Sequence, residues 1–344
     1  MELLTSGADL PAIQFPPTPF PASTLTETVI HRTSSKLRPS FLLVPNLRFA
    51  RLPLGKFAYF CQMISSKRVR VAILDLYEGQ PNQGMRCIRE LLAAFAHIHD
   101  LQLEVDEFEV RIEKKVPDLS YNIYISSGGP GSPLDSIHTA WEETYFGWLS
   151  RMEAHNLHAA PADHKQVLFI CHSFQLICRH YAIAEVTSRR STAFGVFPVH
   201  LLEGATEEPV FAGLADPFYA VDSRSYQVIQ PNHQRIADMG GRVLAIEKER
   251  PHVPLERAIM AIRFSDSMIG TQFHPEADPT GMSMYLRRDD RKQVVIAEHG
   301  EEKWKSMIDQ LEDPDKIRWT YSHVIPNFLT YALESSGMLH PQPA

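Results

Sequence analysis

Residues 167–178 read VLFICHSFQLIC. The first four residues are apolar and suit a buried strand. The run from Ser173 onward suits a buried helix, and a thiol, Cys171, and an imidazole, His172, stand between the two. A strand that turns at once into a helix is the repeating unit of an α/β sheet covered on both faces. In such sheets, binding and catalytic groups collect at the carboxyl ends of the parallel strands. Cys171 stands at such an end and at a helix N-terminus, where a thiolate is favoured. Free cysteine is also among the most buried residue types, so from this stretch alone a nucleophile and a core thiol read equally well. Cys178, inside the helical pattern, belongs to the core.

The same alternation extends on both sides. RVAILDL (70–76) reads as a strand, MRCIRELLAAFAHIH (85–99) as an amphipathic helix, and LQLEVDEFEVRI (101–112) and YNIYISS (121–127) as strands. TAWEETYFGWLSRMEAH (139–155) is helical. Further strands are expected at 195–201, 243–247, 258–264 and 268–273, and helices dominate 284–333. The expected fold is a flavodoxin-like open, mostly parallel sheet with helices on both faces, followed by a C-terminal helical extension. No internal repeat of solenoid period is present.

Composition narrows the function. The chain has 344 residues, 44% hydrophobic and 22% charged, with a net charge of −7. That balance disfavours a phosphate-backbone binder, so no nucleic-acid partner is expected. No apolar stretch has the length of a membrane span, and no membrane partner is expected. The four cysteines form no C-x-x-C pair or disulfide framework, and the histidines show no zinc-finger spacing. No metal and no cofactor are expected, and a reduced, cytoplasmic setting is the default. Residues 1–66 are proline-rich and aperiodic, and read as a largely disordered extension with Met63 as an alternative start. The functional domain is expected over 67–283 and the helical extension over 284–344.

Two further stretches carry chemistry. SSGGPGSP (126–133) follows a strand, and its glycines leave N–H groups free to face an anion or an oxyanion; an ordinary βα turn reads equally well. It lacks the lysine of a phosphate-binding P-loop. IGTQFHPEADP (269–279) delivers His274 at a strand end, Pro275 breaks the strand, and Glu276 is placed to orient the imidazole. A solvated surface pair is the bland alternative.

Together the three stretches resemble a class I glutamine amidotransferase domain, nearest to the glutaminase domain of GMP synthetase-type proteins. In that family a GGP loop, an elbow G-x-C-x-G-x-Q and an H-P-E motif occur in this order. Here they are Gly128-Gly129-Pro130, Phe169 to Gln175, and His274-Pro275-Glu276. The resemblance implies a Cys171–His274–Glu276 triad that hydrolyses the amide of glutamine, or of a related amide, through a thioester. It implies an oxyanion hole from the N–H groups of Gly129 and His172, and substrate contacts from Gln175 and Gly128. Arg224 and Ser225, in AVDSRSYQV (220–228), are further candidates for substrate contact. The ammonia acceptor would be a separate synthetase subunit, because no synthetase domain follows, and the C-terminal helices offer a partner or homo-oligomer surface.

The departures lie in the elbow. Phe169 and Ser173 replace both glycines, so the neighbouring strand must leave room for Phe169 or the elbow must sit differently. Two alternatives follow. One is a DJ-1/PfpI-like hydrolase in which His172 serves the thiol and Glu78 lies close to it. The other is a catalytically degenerate, regulatory amidotransferase-like subunit.

Overall fold

The computed structural model describes residues 68–250, 254–313 and 316–340. The expected extension over 1–66 lies outside the described residues. β1 (Arg68–Asp75), β2 (Gln102–Glu109), β3 (Ile123–Ser126) and β4 (Gln166–Ile170) join β5 (Glu185–Leu201), β6 (Phe218–Ile229), β7 (Arg242–Glu247), β8 (Ile259–Ser265) and β9 (Met268–Thr271) in one sheet. The strand order is β2-β1-β3-β4-β9-β8-β7-β5-β6. From β2 to β9 every pairing is parallel, and from β9 to β6 every pairing is antiparallel. The parallel half is the expected α/β sheet, and the antiparallel half extends it. β6 was not read from the sequence, because its polar centre, DSRS, interrupts the apolar alternation. It is held by its long pairing with β5, a contact made far along the chain.

Side-chain alternation along the strands builds the two cores. Val71 and Ile73 of β1 face one side, with Ile88, Leu91 and Phe95 of α1 (Gln83–Ile98). Ala72 and Leu74 face the other, with Tyr145 and Trp148 of α2 (Ala140–His158) and with Phe174 and Ile177 of α3 (His172–His180). Asn82 caps α1, its side chain accepting from the Met85 N–H at 2.8 Å, a contact typically worth about 1 kcal/mol. A short α4 (His233–Asp238) precedes β7.

The C-terminal helices are α5 (Pro279–Leu286), α6 (Asp289–His299), α7 (Glu301–Glu312) and α8 (Ile317–Ser335). The boundary expected at 283/284 falls inside α5. Val324, Ile325, Phe328 and Leu329 of α8 are buried in the same core as α1, beside Phe218 and Phe273. Met307, Ile308 and Leu311 of α7 pack on Val196 and Val221 of the antiparallel half. Among the described residues, no helix is long and apolar enough to cross a membrane.

Candidate active site

Cys171 is the residue between β4 and α3, with φ 49° and ψ −96°. A non-glycine residue held at positive φ stores on the order of 1–3 kcal/mol, and such strain clusters at functional sites. The turn is pinned on three sides. The Cys171 N–H donates to Thr271 O of β9 at 2.7 Å, and the Gln175 N–H donates to Cys171 O at 3.0 Å. Ser173 supplies the third tie. Its hydroxyl accepts from the Ile170 N–H at 2.8 Å and donates to Ser126 O at 2.8 Å. The small residue that replaces the second elbow glycine thus staples the elbow to β3.

The first elbow glycine is replaced by Phe169, which has a glycine as its partner on the neighbouring strand. Phe169 lies opposite Gly270 of β9. A methyl on Gly270 would come within 2.7 Å of the Phe174 ring and 2.9 Å of the Phe264 ring. Phe169 meets Phe264 edge-on, with centroids 6.0 Å apart. The room that Gly270 leaves is thus taken by the Phe174 and Phe264 rings, and Phe169 packs against the second of them.

β9 runs beside β4 and carries His274 just past its end. The His274 N–H donates to Val221 O at 2.9 Å, which fixes the backbone. Nδ1 of the ring lies 2.8 Å from Glu276 Oε1. An ionised carboxylate can only accept, so Nδ1 carries the proton and Nε2 is left for the thiol. Glu276 is buried at 1% exposure. Gly84, in the first turn of α1, leaves space for it: a methyl there would sit 3.1 Å from Glu276 Oε1 and 2.8 Å from the Tyr77 hydroxyl. The carboxylate thus lies against the first turn of α1. Arg86 of α1 pairs with Asp278, the N-cap of α5, at 2.7 Å and anchors the segment that follows Glu276.

Burial alone would lower the His274 pKa, but the Cys171 sulfur and the Glu276 carboxylate outweigh it and raise it well above the ordinary 6.5. Its contribution to stability is complete below pH 6.5 and is lost only as pH rises through the raised value. In a Cys171→Ala/Glu276→Gln double variant only burial remains. His274 is then expected to titrate below 6.5, as read by NMR of the ring; an unchanged titration would refute this origin of the shift.

His172 behaves in the opposite way. Its ring is buried at 1% exposure, and Nε2 has no hydrogen-bond partner among the described residues. Burial, then Arg111 and Arg179, lower its pKa to about 3. The ring is neutral throughout the physiological range and is a poor general base. Glu78 is 49% exposed and pairs with Arg111 at 3.8 Å. Glu78 is held by Arg111, and the lowered pKa of His172 makes its ring a poor acceptor for the thiol proton; both speak against the DJ-1/PfpI-like alternative. A depressed histidine pKa costs stability in acid, since the unfolded chain takes up the proton first. Between pH 6.5 and pH 4 His172 is expected to remove about 3 kcal/mol of stability. Urea unfolding of His172→Asn across that range should lack this loss; an equally acid-labile variant would refute it.

The glycines of the GGP loop are required for space. A methyl on Gly129 would lie 2.5 Å from Leu76 O, and one on Gly128 would lie 3.0 Å from His274 Cε1. The loop therefore closes against the residue after β1 on one side and against the His274 imidazole on the other.

The remaining candidates are placed as follows. Gln175 is buried, and its amide donates to Gln272 Oε1 at 3.1 Å; Gln272 in turn donates to Cys171 Sγ at 3.6 Å. Arg224 is 1% exposed and bonds Asp222 at 2.8 Å, with Glu247 at 3.6 Å. The carboxylate ligand expected for Arg224 is thus met by the protein's own acids. Ser225 is exposed, its hydroxyl 3.2 Å from that of Thr192. Between β6 and the elbow the contact is made by backbone, Ser223 O lying 3.9 Å from Cys171 Sγ.

Two residues escaped the sequence reading. Gln272 lies within the QFHPE segment and touches the sulfur. Tyr77 follows β1 directly, and its hydroxyl lies against both Gly84 and Gly128. Burial first, then Glu276 and Cys171, push its pKa well up, so it stays a neutral phenol. The local signal for Tyr77 was its place at the carboxyl end of a parallel strand, where ligands collect.

Comparison with known proteins follows this geometry. Residues 82–292 match the family described as Glutamine amidotransferase class-I. No curated protein matches the chain in sequence. Among solved structures, a glutamine amidotransferase from Thermotoga maritima superposes with a TM-score of 0.54 at 12% identity, covering 77% of this chain and 98% of its own. The glutaminase domain of Trypanosoma brucei CTPS with bound acivicin gives 0.50 at 11% identity, covering 80% and 96%. At these identities the two structures speak for the shared fold.

Proposed function

The chain belongs to the class-I glutamine amidotransferase family, and from that premise we propose that it releases ammonia from the side-chain amide of glutamine through a thioester on Cys171. The observation that carries this reading is the strained elbow at Cys171, facing an imidazole held by a buried carboxylate. His274 Nε2 takes the proton of the Cys171 thiol, the sulfur attacks the amide carbon, and the charge that develops on the oxygen is met by the N–H groups of Gly129 and His172. The residue after an elbow nucleophile is a usual donor, and first-turn N–H groups have no intrahelical acceptor. His274 protonates the departing nitrogen, which leaves as ammonia, and a glutamyl thioester remains. His274 then takes a proton from water, hydroxide adds to the thioester, and glutamate leaves as the thiol is restored. Glu276 orients the ring and stabilises its charged form. Gln175 acts through Gln272, which steadies the sulfur.

We assign the catalytic unit to 67–283, with 284–344 as an extension packed on it, and a separate synthetase subunit as the ammonia acceptor. A reducing compartment keeps a nucleophilic thiol free, and the cytoplasm is the setting proposed for this activity. The test is ammonia release from glutamine by the full chain, paired with mass spectrometry of Cys171 after exposure to acivicin, the compound bound by the trypanosomal domain. Turnover and a modified Cys171 are expected. A silent, unmodified thiol in a folded chain would instead favour the degenerate, regulatory subunit. The ties of Ser173 to Ile170 and Ser126, with Phe169 packed edge-on against Phe264, speak for a competent elbow.

A further inference from the structure

We propose that Ser127 is a positioning residue for amide hydrolysis, its hydroxyl fixing the direction in which the Gly129 N–H points. The inference rests on the amidotransferase reading above. Ser127 is fully buried. Its hydroxyl oxygen lies 2.9 Å from the Leu76 nitrogen and 2.8 Å from Gly128 O. The roles are unambiguous: the Leu76 N–H can only donate, so the single hydroxyl proton goes to the Gly128 carbonyl. That carbonyl and the Gly129 N–H belong to one planar, trans peptide and point in opposite directions. Anchoring the oxygen therefore aims the N–H.

The anchor has a purpose here because two adjacent glycines leave the peptide free to turn over. Ser127 itself is fixed, its own N–H donating to Leu74 O at 3.0 Å. On the far side of Gly129, Arg111 donates to Pro130 O at 2.8 Å and holds the loop from β2's end. An oxyanion donor fixed before the reaction needs no reorganisation as the charge develops.

The test uses full-length Ser127→Ala. Removing the anchor is expected to lower kcat for ammonia release about 10²-fold, the scale of one lost oxyanion donor, with KM little changed. Alkylation of Cys171 by iodoacetamide displaces iodide and forms no oxyanion, so its rate should match wild type. The crystal structure of the variant should show the Gly128–Gly129 peptide reversed or in two orientations. Ser127→Cys keeps the volume but donates weakly, and should fall between the two. An unchanged kcat, a parallel fall in alkylation, or a peptide that keeps its single orientation would overturn the inference. Were the wild type to release no ammonia, the amidotransferase reading would fail, and the peptide orientation in Ser127→Ala would still decide this one.

Discussion

Cys171→Ala is expected to lose on the order of 10⁶-fold in kcat for ammonia release from glutamine, because the nucleophile and its base act as one unit. His274→Ala should lose nearly as much, and the double variant little more. The non-additivity is the informative part. Two independent sites would multiply their losses, whereas a thiol and an imidazole that share one proton cannot be disabled twice. Stability should change little in Cys171→Ala, since the side chain is small and the replaced residue sits at the same strained φ. The measurement is steady-state ammonia release for the three proteins, with urea unfolding as the control. Single variants close to wild type would remove the proposed triad, and losses that multiply would separate the two residues.

Gly270→Val is expected to be the most damaging single substitution near the elbow that touches no catalytic atom. Its first carbon would already press on the rings of Phe174 and Phe264 at 2.7 and 2.9 Å. Neither ring has a free direction, since both are fully buried. Forcing extra volume into such a core costs about 3 kcal/mol. Phe169→Ala alone leaves a cavity and costs about 3–5 kcal/mol. In the combined variant Phe264 can shift into the space left by Phe169, so the two losses should fall short of their sum. Urea unfolding of the three proteins measures this coupling. Strict additivity would mean that Phe264 does not couple the two positions.

The pair also shows where sequence reading stops. The elbow, the GGP turn and the HPE turn were legible because each is local: a strand end, a turn residue and a chemically able side chain lie within a few positions. The packing around Phe169 was not, because Gly270 and Phe264 lie about a hundred residues away and reach it only through the folded sheet. The same holds for Gln272 on the sulfur and for Tyr77 between Gly84 and Gly128. β6 is the fold-level case, its DSRS centre reading as a polar loop until β5 pairs with it and Asp222 and Arg224 neutralise each other. Arg224 misled for the same reason. A lone arginine in a sequence advertises a free charge, and only the fold supplies the buried acids that consume it.

β9 is the seam of the sheet, parallel to β4 and antiparallel to β8. Cys171 hangs on one side of the β4–β9 pair and His274 on the other, joined by a backbone bond of 2.7 Å from Cys171 to Thr271. Their separation is therefore set at the centre of the sheet, among the last parts of a domain to open. An effector or a docking subunit has little mechanical leverage over that distance. Control of the reaction from outside would have to act where the framework is soft, on the two-glycine peptide beside the His274 ring and on the way in.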